Sequence, residues 1–179
     1  EFYQVEGYHL CEPSPQRTPV LFQAGSSDRG LLFAGRHAEC VFISGQNKPS
    51  TKVQVDKVRA SAVEAGRNPE DIKVFMGLNV IVGATEELAW AKHAEYLSYA
   101  SAEAGVAHFS ASTGIDFSEY EIDEPIQYVK SNAIQSATKN LQNNDWTRRK
   151  LLEQHALGGR YITVVGSPEQ VADELESWI

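Results

Sequence analysis

Three short apolar runs, PVLFQAG at 19–25, ECVFISG at 39–45 and IKVFMGLNVIVG at 72–83, are each followed by a segment of helical spacing, and this alternation constrains the fold most. Continuous apolar runs of this kind belong to strands covered on both faces. Strands alternating with helices imply parallel pairing through right-handed crossovers, in a doubly wound sheet or a (β/α)8 barrel. Three such units are too few to close a barrel by themselves.

The helix signals are local and specific. Ser27 or Asp28 is placed to cap a helix running to about His37. Val53, Val55, Val58 and Ala62 lie near helical spacing, with Gly66 as the stop and Pro69 beyond it. Thr85 opens a predicted helix over 85–105 with acids in its first turn. After YITVVG at 161–166, Ser167 caps a last helix with Pro168 at its first position and Val171, Leu175 and Trp178 on one face. Between 106 and 159 the rhythm breaks, and an insertion of that length in a compact α/β unit is expected to be a lid or binding loop. The domain reading is therefore one partial barrel domain over 1–179, with the 106–159 insertion inside it.

Charge and cysteine content exclude several classes. A net charge of -8, with TRRK at 147–150 as the densest basic cluster, leaves no run that could neutralise a nucleic-acid backbone. The longest apolar stretch is broken by Asn79 and two glycines and falls short of the ~20 residues that cross a bilayer. Cys11 and Cys40 lack any paired spacing and read as reduced, buried thiols of a cytoplasmic protein. The chain starts at Glu1 within what reads as a strand, EFYQVEG, and stops inside an amphipathic helix, so it is expected to be a piece of a longer protein.

One loop carries candidate chemistry. In FQAGSSDRG at 22–30, Gly25 lets backbone approach a ligand, Ser26 and Ser27 supply hydroxyl and N–H donors, and the following helix adds its positive pole. A plain strand-to-helix turn has the same chemistry, and residue types alone leave both readings open. Arg29 is placed either to reach an anion or to pair with an acid. His37 suits a helix end structurally, and His9, His93 and His155 show no ligand spacing, so no metal is expected. Asp116, Glu119, Glu121, Asp123 and Glu124 crowd one segment, which reads as a solvated face rather than a glycosidase pair.

The segment EGYHLCEPSPQRTPVLFQAGSSDRGLLFAGRHAECVFIS resembles the bacterial-luciferase-like flavin monooxygenases of the nitrilotriacetate and dibenzothiophene-sulfone monooxygenase group, and the related long-chain alkane monooxygenase. The likeness continues through AGRNPEDIKVFMGLNVIVGATEELA, similar to that family's seventh strand and its flanks, HFSASTGIDFSEYEIDEP, similar to its insertion, and GGRYITVVGSPEQVADELESW, similar to the approach to its last strand. The resemblance implies part of a (β/α)8 TIM barrel, about strands 5 to 7, since a whole barrel takes about 250 residues. It implies reduced FMN supplied by an NAD(P)H-dependent flavin reductase, O2 as co-substrate, and an organic substrate that is an aminopolycarboxylate, an organosulfur compound or an alkane. It further implies a homo-oligomer in the full-length parent. The positions matching the FMN phosphate loop are Ala24, Gly25, Ser26 and Ser27, with Arg29 beside them. His108 falls where relatives carry a histidine near substrate and flavin, and is the candidate catalytic residue. The competing class is a non-catalytic fragment, or a phosphate-binding α/β module without oxygenase activity, whose exposed strand edges bind a partner or aggregate.

Overall fold

The computed structural model describes residues 4–8, 10–45, 47–126, 146–157 and 161–179. Strands β1 (Phe22–Ala24), β2 (Cys40–Ile43) and β3 (Lys73–Met76) form one parallel sheet in that order, and β4 (Leu78–Val82) pairs in parallel with β5 (Ile162–Gly166). The helices are α1 (Asp28–His37), α2 (Lys48–Glu64), α3 (Glu86–Tyr99), α4 (Ala102–Thr113), α5 (Arg148–His155) and α6 (Pro168–Glu176). The strand–helix alternation and the parallel pairing are as the apolar runs required.

Alternation along each strand divides the first sheet into two unlike faces. Val41 and Ile43 join Leu31, Ala34, Val58 and Ala62 in a buried cluster, with Val74 and Met76 packed against it, so α1 and α2 cover this face. On the opposite face Phe42 stacks against Phe22 at 5.8 Å between ring centroids and against Phe75 at 5.3 Å. All three rings are exposed, Phe22 at 56%. Val20 and Leu21 are exposed as well, so the first apolar run is not the doubly covered strand its composition suggests. Its regular part is only three residues long, at the sheet edge, and no described element covers its outer face.

Two further expectations change. The third apolar run is not one strand: it divides at Gly77, with β3 bonded to β2 before it and β4 bonded to β5 after it. The Tyr161 ring lies against this point, and a Cβ on Gly77 would meet it at 2.5 Å. The predicted helix over 85–105 also divides. Ala100 is extended (ψ 147), and the Ser101 hydroxyl accepts from Ala104 N–H at 3.2 Å to start α4. His108 therefore lies on a helix, not in an irregular lid segment.

The segment after α3 has its own apolar cluster of Val106, Phe109, Ile115, Phe117, Ile126 and Leu151. Phe109 and Phe117 stack at 5.3 Å, nearly coplanar at 7°. Residues 127–145, part of the segment read as weakly helical, lie outside the described residues, as do residues 1–3 of the first predicted strand and His9. The remainder of that first stretch, residues 4–7, forms no strand. Cys40 is buried as expected, whereas Cys11 is exposed, in a stretch that is exposed throughout residues 10–18. No helix among the described residues is long and apolar enough to cross a membrane.

Candidate functional site

The chain leaves β1 through Gly25, whose φ of 156° is a backbone conformation that side-chain-bearing residues rarely adopt. Its N–H donates to the Phe42 carbonyl at 3.4 Å, holding the loop to the end of β2. Ser26 Oγ accepts from the Ser44 N–H at 2.9 Å and lies 2.9 Å from Ser44 Oγ. Ser27 is the N-cap of α1: its Oγ accepts from Gly30 N–H at 3.1 Å and its carbonyl from Leu31 N–H at 2.9 Å. The loop thus folds tightly onto the helix start. A Cβ on Gly30 would meet Ser27 Oγ at 3.1 Å and the Gly25 carbonyl oxygen at 3.2 Å, so the absent side chain admits this closure.

Both serine hydroxyls are engaged as acceptors, and Ser26 Oγ shares a further hydrogen bond with Ser44 Oγ in which either can donate, so the loop's clear remaining donors are its backbone N–H groups and the Ser27 O–H. The N–H groups of Ser26, Ser27 and Arg29 bond to no acceptor among the described residues. The first N–H groups of a helix carry its positive pole, so these are unspent donors where an anion is favoured. Asp28 is the one acid in this turn, and Lys57 of α2 pairs with it at 2.7 Å, which offsets its repulsion of an anion. Arg29 is exposed and forms no ion pair among the described residues. Ala24 ends β1 on the face that carries Phe22, opposite Phe42 in register.

Ala24, Gly25, Ser26, Ser27 and Arg29 are thus gathered at one turn, while His108 stands apart on α4 with an exposed side chain. Near it a cleft of about 450 Å³ is lined by Glu103, Val106, Ser110, Ile115, Asp116 and Ser118. The Asp116 carboxyl is held below its ordinary value by accepting from the Ser118 hydroxyl at 2.6 Å and N–H at 2.9 Å. Asp123 grips Arg149 through two contacts at 2.7 and 2.9 Å, and Glu124 accepts from Glu121 N–H at 3.2 Å. Asp116, Asp123 and Glu124 are thus each engaged by a partner within the segment or on α5. His37 packs on Phe33, His93 on Trp90 and the buried His155 on Phe109. Among the described residues no group of three His, Cys, Asp or Glu could hold a metal ion.

Ser44, Gly30 and Gln54, whose amide reaches Ser44, were not singled out from the sequence. A signal existed for Ser44. It follows β2 as Ser26 follows β1, and parallel neighbours bring equivalent positions to the same end of a sheet.

The description of the family model that matches residues 1–179 is luciferase-like monooxygenase. The chain is 42% identical over 183 residues to the dimethyl-sulfide monooxygenase of Hyphomicrobium sulfonivorans, covering all of this chain and 38% of that protein. It is 41% identical over 176 residues to the long-chain alkane monooxygenase of Geobacillus thermodenitrificans, covering 98% of this chain and 37% of that one. Among solved structures, a riboflavin lyase crystallised with modified FMN and riboflavin superposes with a TM-score of 0.87 at 37% identity, over 99% of this chain and 39% of that chain. The chain therefore spans well under half the length of the relatives it matches.

Proposed function

The chain belongs to the luciferase-like monooxygenase family, its β/α units are part of that family's (β/α)8 barrel, and on that premise we propose that the whole protein is an FMN-dependent monooxygenase. It would act on a small organic substrate of the organosulfur or alkane kind, with O2 as co-substrate and reduced flavin delivered by a separate NAD(P)H-dependent reductase. The observation that carries this reading is the 24–29 turn, where three backbone N–H groups have no acceptor and the Arg29 guanidinium no ion pair among the described residues, at a helix start. Residues of this kind fit a phosphate: donors without acceptors, a positive pole and a neutralised acid.

Bound reduced FMN would supply the electrons with which O2 oxygenates the substrate. The protein's part is to hold and orient. Ala24 and Gly25 keep side chains out of the approach, Ser26 and Ser27 present N–H groups, and Arg29 adds a positive charge that pivots from solvent to the phosphate. His108, exposed on α4, is assigned to holding or moving a proton beside the substrate. Residues 106–159 are assigned to cover the site, since flavin oxygenation requires water to be kept out.

The test is to titrate the full-length protein with FMN and with riboflavin, then assay it with a flavin reductase, NADH, O2 and dimethyl sulfide or an alkane. Preference for FMN with product formed above the uncoupled peroxide background is the expected outcome. Equal affinity for both flavins overturns the assignment of the turn, and flavin binding without any product overturns the monooxygenase reading.

A further inference from the structure

Two parallel strand ends are stitched together behind the turn. The Ser44 N–H donates to Ser26 Oγ at 2.9 Å, and the Gln54 side-chain Nε2 donates to the Ser44 carbonyl at 2.8 Å. A carbonyl only accepts, so it must be the amide nitrogen of Gln54 that faces it. Gln54 is on α2, ten residues from Ser44, and its side chain crosses back from the helix to the strand end. Its Oε1 is buried with no hydrogen-bond partner among the described residues. Burying an amide oxygen unpaired is costly, and an apolar side chain of the same shape would avoid that cost.

Resting on the phosphate reading of the turn, we infer that Gln54 is a positioning residue for it, acting through Ser44 on Ser26. Ser26 Oγ, as acceptor from Ser44 N–H, orients the Ser26 peptide, and the N–H groups of Ser26 and Ser27 follow that orientation. Ser44 can hold Ser26 only if its backbone stays in place: its N–H lies in the peptide before its Cα, and Gln54 anchors the carbonyl of the peptide after it, so the residue is pinned on both sides. Gln54 touches no reacting group; it sets where the donors point.

The experiment compares FMN and riboflavin affinity in the full-length protein carrying Gln54→Met, which keeps length and removes the donor. FMN should bind about 2- to 10-fold more weakly, as expected for one neutral hydrogen bond, while riboflavin, which has no phosphate, is unchanged. Ser26→Ala combined with Gln54→Met should be no weaker than Ser26→Ala alone, because both remove the same support. Unchanged FMN affinity, equal weakening of both flavins, or additive effects in the double variant would each overturn the inference. If Gln54→Met does not fold, Gln54→Glu, which keeps shape and also cannot donate, is judged by the same criteria. A wild-type protein that binds the two flavins equally overturns the phosphate reading and the relay together, whereas a wild-type preference retained in the variants overturns the relay alone.

Discussion

Arg67 Nη1 donates to the Gly35 carbonyl at 2.7 Å, while Nη2 donates to the Ala38 carbonyl at 2.7 Å. The last carbonyls of a helix have no partner within it, and here a guanidinium from beyond α2 satisfies two at the end of α1. Arg67→Ala should lower stability by about 2 kcal/mol, as for hydrogen bonds from a charged donor. Arg67→Lys should recover less than half, since a single ammonium cannot reproduce the fork. Denaturant midpoints of the three proteins check this, and an unshifted Arg67→Ala midpoint would refute it.

Ser27 has two duties that separate experimentally. As N-cap of α1, its loss in Ser27→Ala should cost about 1 kcal/mol of stability. If its O–H also meets a phosphate, FMN affinity should fall by at least about tenfold. Gly25→Val should abolish FMN binding, because valine strongly resists the φ this position holds. Flavin titration alongside thermal melts distinguishes the two losses.

Arg149 holds the Asp123 carboxyl below its ordinary value, chiefly through the hydrogen bonds between them. A carboxyl depressed on folding gives stability that is complete above its unfolded value, about 3.9, and that is lost as pH falls through the folded value. Melting temperature should accordingly decline below about pH 4, and Asp123→Asn should flatten part of that decline while lowering the plateau slightly. An identical pH profile in the variant would show that the pair contributes nothing.

Residues 106–126 and 146–157 should exchange amide hydrogens faster than β2 in the ligand-free protein and slow when flavin and substrate are present. Protection equal to that of β2 without ligand would make this segment fixed core rather than a cover.

The open aromatic face has a solution consequence. Residues 1–179 alone leave Phe22, Phe42 and Phe75 to solvent on one side of a sheet whose β1 edge is paired by no described strand. Purified by themselves, they should associate and form no oxygenation product. A monodisperse monomer with a sharp cooperative melt would show that these residues close independently.

What the sequence made legible was chiefly local. Ser27, Thr85 and Ser167 each cap the helix they precede, and Gln170 completes the reciprocal bond to Ser167, because capping depends on residues within three positions. Gly66 takes the positive φ of a helix stop for the same reason. The division at Gly77 was hidden, because it is set by which strand lies alongside and by Tyr161, far away in the chain. The helix break before Ser101 was masked by alanines that favour helix on both sides. The turn at 24–29 was visible as residue types, but its support from Ser44 and Gln54 depends on two elements meeting at one sheet end.

The change of partners at Gly77 divides the described strands between two sheets, β1–β2–β3 and β4–β5. Leu78 is paired with Ile162, so everything over 83–161 is a crossover between adjacent strands and returns to a fixed register. Lengthening such an excursion raises its closure cost only logarithmically, by roughly 0.6 kcal/mol per doubling. Apart from Tyr161, which packs on Gly77, that stretch supplies none of the strand pairing of β1, β2 and β3 and no residue of the serine turn. If the turn holds a phosphate as proposed, remodelling that stretch alters what surrounds the ligand while leaving the grip on the phosphate where it is.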